Sequence, residues 1–225
     1  RIRNLVDERR KELAAHLTAE HGKVPSDALG EIARGIENLE FACGIPQLLK
    51  GGYSESVSTG VDVHSIRQPL GVAGIISPFN FPLNLVAHKV APSLAVGAPI
   101  VVKPASSTPI GSLRLAELFA ETDLPHGMYQ VLPVSSKVAD GMARDDRFRK
   151  ISFTGSSDIG WYLKGLDPKK RVTLELGGNA GVIVHSDADL DLAAQRVAFG
   201  GYYQAGQSCI SVQRMYVHDD VWEPL

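Results

Sequence analysis

The stretch "GVAGIISPFNFPLNLVAHKVAPSLAVGAPIVVKP", Gly71 to Pro104, decides the fold. A short unbroken apolar run at Val72–Ile76 gives way to polar and proline-rich residues. A helical pattern over Leu83–Leu94 follows, and then a second apolar run in "APIVVKP". Neither run alternates, which is how a strand buried on both faces reads. The pattern recurs downstream in a helix at "IGSLRLAELFAET", a strand in "MYQVLP", a helix near Lys137–Arg144, a strand in "RKISFTG" and a helix from Ser157. "VTLELGG", "AGVIVH" and "VQRMYV" add strands, and "DADLDLAAQRVAFGGYYQAG" adds a helix opened by acidic residues. Apolar strands each followed by a helix predict an α/β fold, a Rossmann-like parallel sheet with helices on both faces.

Upstream, residues 1–50 read as helical. Ile2, Leu5, Val6, Leu13 and Leu17 fall at helical spacing, and Ala28 to Leu49 continues the pattern after Pro25. "GGYSESVSTGVDVHSIRQPLG" changes character, and its alternation of Val57, Thr59, Val61 and Val63 predicts an extended hairpin or linker strand. With 225 residues, 44% hydrophobic and 21% charged, the chain is long enough for one large domain or one and a half. A net charge of −2 and a pI near 6.4 argue against a nucleic-acid or anionic-membrane partner. No apolar run reaches the ~18 residues of a membrane-spanning helix. Cys43 and Cys209 are too far apart in sequence to read as a disulfide framework or metal site, which suits a reducing compartment with the cytoplasm as default. "RIRNLVDERRKELAAHL" already reads mid-helix, so the true N-terminus is expected to lie outside this chain.

In an open parallel sheet, ligands bind beyond the carboxyl ends of the strands. "SPFNFP", "KPASSTP", "TGSSDIG" and "ELGGN" all fall there, so one crevice could gather Asn80, Lys103, Ser106, Ser156 and Glu175. "GSSDIG" is not the dinucleotide fingerprint, and its plainer reading is a capped turn. Cys209, in "AGQSCISVQR", reads as a nucleophile or as a small buried hydrophobe, and Cys43 in "LEFACGI" as the latter. Glu175 sits in an apolar strand, where burial would raise its pKa toward that of a general base; the alternative is a capping or surface carboxylate. The histidines show no metal-ligand spacing and read as structural or surface. "DADLD" reads as a helix cap and "DPKKR" as a solvated turn.

"PLGVAGIISPFNFP", "VVKPASSTP", "ISFTGSSDIG", "VTLELGGN" and "GQSCISVQR", in that order and spacing, resemble the aldehyde dehydrogenase superfamily. The resemblance covers nearly the whole chain. The segment from "IENLEFACG" to "RQPLG" looks like methylmalonate-semialdehyde dehydrogenases, and the part from "VLPVSS" onward like hydrolytic members.

The resemblance implies an NAD(P)-dependent oxidation of a small aldehyde to an acid. Cys209 would be the nucleophile, the Asn80 amide and the Cys209 backbone N–H the oxyanion donors, and Glu175 the base that activates water. Lys103, placed among the catalytic set, would also hold the adenine-side ribose. Gly155 and Ser156 would meet the pyrophosphate, the Leu176 backbone would lie near the nicotinamide, and Ser77, Phe79 and Thr154 would line the cleft. Ser106 stands where NAD-preferring members carry a glutamate, so NADP is expected alone or beside NAD. Val134 and Ser135 replace glycines common after the proline. The implied organisation is N-terminal helices of the cofactor domain at 1–54, oligomerisation strands at 55–69, the NAD(P)-binding domain at 70–178 and the start of a catalytic domain at 179–225. The strands would build a homodimer or homotetramer. The chain is expected to be about half the family length and unable to turn over aldehyde by itself. The rival readings are a coenzyme A-acylating semialdehyde dehydrogenase and a catalytically silent structural or binding protein.

Overall fold

The structure is a computed structural model and describes residues 1–225. Helices α1 (Ile2–Glu8), α2 (Arg10–His21), α3 (Pro25–Cys43) and α4 (Ile45–Leu48) open the chain. Gly22, at φ 87°, closes α2 in the left-handed conformation that glycine adopts at least cost. Pro25 then starts α3, where its missing N–H leaves nothing unpaired. One stripe of α3, including Ala28, Ile32, Gly35, Leu39 and Ala42, is buried at helical spacing, and Glu31 lies within that stripe.

Strands β1 (Tyr53–Ser58) and β2 (Val61–His64) pair antiparallel as a hairpin exposed at every residue. The sheet that organises the chain is built from β3 (Val72–Ile76), β4 (Ile100–Lys103), β5 (Tyr129–Val131), β6 (Phe148–Thr154) and β7 (Arg171–Glu175). All pairs are parallel and the order is β5-β4-β3-β6-β7. The connecting helices are α5 (Asn84–Ala95), α6 (Ile110–Ala120), α7 (Ala139–Arg144) and α8 (Ser157–Leu166). A 3-10 turn at Ser136–Val138 leads into α7, so the helix expected near Lys137–Arg144 begins later than the pattern suggested.

Alternation along β3 separates two cores. Ala73 and Ile75 join β4, α1–α3, α5 and α6 on one face. Ile76 packs with Ala139, Met142, Phe153 and Leu163 on the other. Full burial of side chains such as Leu17, Ile75 and Leu83 contributes roughly 1.5–3 kcal/mol each. On the α5 side, β6 and β7 turn Lys150, Ser152, Thr173 and Glu175 toward a cleft of about 400 Å³.

A second, two-stranded parallel sheet follows, in which β8 (Ala180–Val184) pairs with β9 (Val212–Val217) across α9 (Leu190–Tyr202). The side chain of Asp189 accepts from Leu192 N at 3.0 Å, so "DADLD" caps α9 as its pattern suggested. A short α10 (Asp219–Trp222) ends the chain. Two expectations need correction. The side chain of Lys170, read as part of a solvated turn, is buried and donates to the carbonyls of Ala143 and Asp145, because the turn folds back over the end of α7. Cys43 is exposed, since it falls on the outer side of α3 beside buried Ala42.

Candidate active site

The sheet changes direction of winding between β3 and β6, and the carboxyl ends of strands at such a point are where an open parallel sheet takes its ligand. The loop after β3 carries Ser77, Phe79 and Asn80. Asn80 is buried, and its Nδ2 donates to the carbonyl of Gln207 at 2.7 Å, which takes one of the two amide hydrogens. Gln207 lies two residues before Cys209, whose side chain is exposed and free. A Cβ placed on Gly178 would come within 3.3 Å of the Cys209 carbonyl oxygen, so the segment following Glu175 abuts the cysteine. Asn80, Cys209 and the Glu175–Gly178 segment are thus brought to one edge, although far apart in sequence.

Glu175, at the end of β7, is held at both oxygens. Oε1 accepts from Lys89 Nζ at 2.8 Å and lies 3.6 Å from His88 Nδ1, while Oε2 accepts from Thr154 Oγ1 at 3.1 Å. Burial pushes the carboxyl pKa up, but the bond and charge of Lys89, with His88 and Thr154, outweigh it and leave the pKa below the ordinary glutamate value. The expected upward shift is therefore overturned. Lys89 itself is buried in α5, and burial lowers its pKa against the pull of Glu175. Neither Lys89 nor His88 was among the residues expected at the site. The signal was available for Lys89, a cation in phase with buried Val86, Ala87 and Val90, because a charge on an apolar stripe must find a partner.

Several features suit a dinucleotide. Ser77 Oγ is buried without a partner at the end of β3. Lys103 is buried at the end of β4, its ammonium bonded to the Pro104 carbonyl at 3.0 Å and its pKa lowered by burial. Ser156 stands before α8 with extended backbone, yet its hydroxyl makes no cap bond, so the first N–H groups of α8 remain available to an anion. Gly155 has no room for a side chain, because a Cβ there would lie 2.6 Å from the Phe153 ring. Thr154 is buried, Leu176 half-buried and Ser106 exposed. Phe79 is exposed and stacks on His21, with centroids 6.2 Å apart. A wider cleft of about 570 Å³, lined by Arg144, Arg149 and Lys169, lies at the opposite, amino edge of β6 and β7, away from these groups.

The chain matches the aldehyde dehydrogenase family over residues 1–225. The chain belongs to the aldehyde dehydrogenase family. It is 36% identical to the malonate-semialdehyde dehydrogenase of Lacticaseibacillus casei, over 98% of this chain and 45% of that protein. It is 38% identical to the NADP-dependent succinate-semialdehyde dehydrogenase of Escherichia coli K12, over 98% of this chain and 46% of that protein. Among solved structures, aldehyde dehydrogenase 21 from Physcomitrella patens, in complex with the reaction product succinate, superposes with a TM-score of 0.92 at 43% identity. The match covers 99% of this chain and 48% of that one. This aldehyde dehydrogenase chain therefore spans about half the length of the relatives it matches.

Proposed function

We propose that the protein to which this chain belongs oxidises a small aldehyde to its carboxylic acid with NADP or NAD. The observation that carries the reading is the meeting of Asn80, the Cys209 loop and the Glu175–Gly178 segment at the crevice edge. In this reading the Cys209 thiolate attacks the carbonyl carbon, forming a C–S bond and placing the electron pair on oxygen. The remaining Asn80 amide hydrogen and the Cys209 backbone N–H hold that oxyanion. Bound nicotinamide supplies the hydride acceptor, and Ser77, Phe79, Lys103, Ser106, Thr154, Gly155, Ser156 and Leu176 are the residues that would hold the dinucleotide. Loss of hydride leaves a thioester on Cys209. Glu175, kept anionic by Lys89, takes a proton from water, the hydroxide adds to the thioester carbon, and the C–S bond breaks to release acid and thiolate.

A carboxylate at position 175 supports water as acyl acceptor over coenzyme A. The relatives named for malonate and succinate semialdehyde point to an aldehyde that itself carries an acid group. The fully exposed β1–β2 hairpin supports pairing with another subunit as a homodimer or homotetramer. The test uses the full-length protein with such aldehydes, with and without coenzyme A, while reduced nicotinamide is followed. Cys209→Ala should abolish turnover and leave cofactor affinity unchanged. Turnover retained by that variant, or strict dependence on coenzyme A, would overturn the reading.

A further inference from the structure

Lys23 lies between α2 and α3 and is fully buried. Its ammonium has three hydrogens and three oxygen partners: Glu31 Oε2 at 2.5 Å, the Asn80 carbonyl at 2.8 Å and Gln204 Oε1 at 2.5 Å. Glu31 is equally buried, and its second oxygen accepts from Leu83 N at 2.8 Å and Asn84 N at 3.0 Å, where α5 begins. Gln204 is held from a further side, its N–H and side-chain amide donating to Asp27 Oδ2 and the Asp27 carbonyl at 2.7 and 3.2 Å. This grip falls on a costly piece of backbone. Gln204, Ala205 and Gly206 all have positive φ, at 55°, 55° and 73°, and two of them carry side chains that disfavour it.

A buried ion pair gives little net stability compared with apolar residues of the same shape. What it supplies is direction. Lys23 fixes the carbonyl of Asn80 and the turn five residues before Cys209 on one nitrogen, and the two segments so fixed meet again at the Asn80 Nδ2–Gln207 O bond. We infer that Lys23 and Glu31 are positioning residues of the oxyanion hole, setting the distance between the Asn80 side-chain amide and the backbone N–H of Cys209. The inference rests on the assignment of Cys209 and Asn80 proposed above.

The test uses the full-length enzyme and the double variant Lys23→Met/Glu31→Gln, which removes both charges together and leaves no unpaired ion. Its unfolding should remain a single cooperative transition at a lowered midpoint, because the Asn80 carbonyl and Gln204 Oε1 lose their donor; its cofactor Kd should stay near that of the parent, while kcat/KM for aldehyde falls by about 10²-fold, the scale of a misplaced reacting group. In an Asn80→Ala background the same pair of changes should cost less than about threefold, because their effect passes through Asn80. A folded double variant with kcat/KM within twofold of the parent, or a loss that multiplies fully with that of Asn80→Ala, would overturn the inference. If the double variant does not fold, Asp27→Ala loosens Gln204 alone and should lower kcat/KM by about tenfold at constant cofactor Kd; no loss would again overturn it. Turnover in Cys209→Ala would instead remove the assignment beneath it, so the two failures are distinguishable.

Discussion

At the scale of single residues, the bond between Lys89 and Glu175 sets the charge of the carboxylate assigned to activate water. Because the folded pKa of Glu175 is depressed, the pairing contributes to stability above the unfolded glutamate value, ~4.3, and that contribution is lost as pH falls through the folded value. Lys89→Met should therefore move the acid limb of steady-state turnover to higher pH, with the full profile of rate against pH as the measurement; an unmoved limb would separate Lys89 from the base. Glu175→Gln should lower the steady-state rate by about 10²–10⁴-fold and leave the first burst of reduced nicotinamide intact. Ser106→Glu should weaken NADP binding by about 10²-fold and NAD binding little, since a carboxylate would face the 2′-phosphate; titration of each cofactor checks it. Cys209, Asn80 and Glu175 could be picked out as candidates because each stands in a distinctive segment. The direction of the Glu175 shift was not legible. It depends on Lys89, which the fold brings across from α5, and no local pattern around "TLELGG" contains that contact.

At the scale of elements, period and punctuation carried the reading. Apolar runs without alternation marked β3 and β4, and the helical pattern that resumes after Pro25 marked α3. What periodicity could not supply is how closely two helices approach. Gly35 of α3 faces α5, where an added Cβ would lie 2.9 Å from Cδ2 of fully buried Leu83. Gly35→Val should force the helices apart and destabilise the protein by about 1–3 kcal/mol, read from denaturant midpoints. The strain would be felt at the Leu83–Asn84 amides that Glu31 holds, so aldehyde turnover should fall with stability. A variant as stable as the parent would show that this crossing has slack.

For the whole molecule, two kinds of surface stand side by side. The five-stranded sheet is packed on both faces over β3 and β4, whereas α9 buries no residue and exposes Leu192, Phe199 and Tyr202, with Ile183 of β8 exposed nearby in sequence. Apolar area of that extent favours association. The 225-residue chain on its own should therefore self-associate and bind a hydrophobic dye more strongly than a protein of its relatives' full length; a dispersed monomer with no dye binding would contradict this. The α/β class was legible because strand and helix alternate from Gly71 onward. The composition of the crevice was legible only as a set of loops, since the sheet order that gathers them depends on pairings between distant strands. The proposed oxidation passes through a thioester at Cys209. Full-length Glu175→Gln protein, mixed with aldehyde and cofactor, quenched and mapped by peptide mass spectrometry, should carry the acyl group on the Cys209 peptide in proportion to the burst. A burst without that adduct, or with the adduct on Cys43, would contradict it.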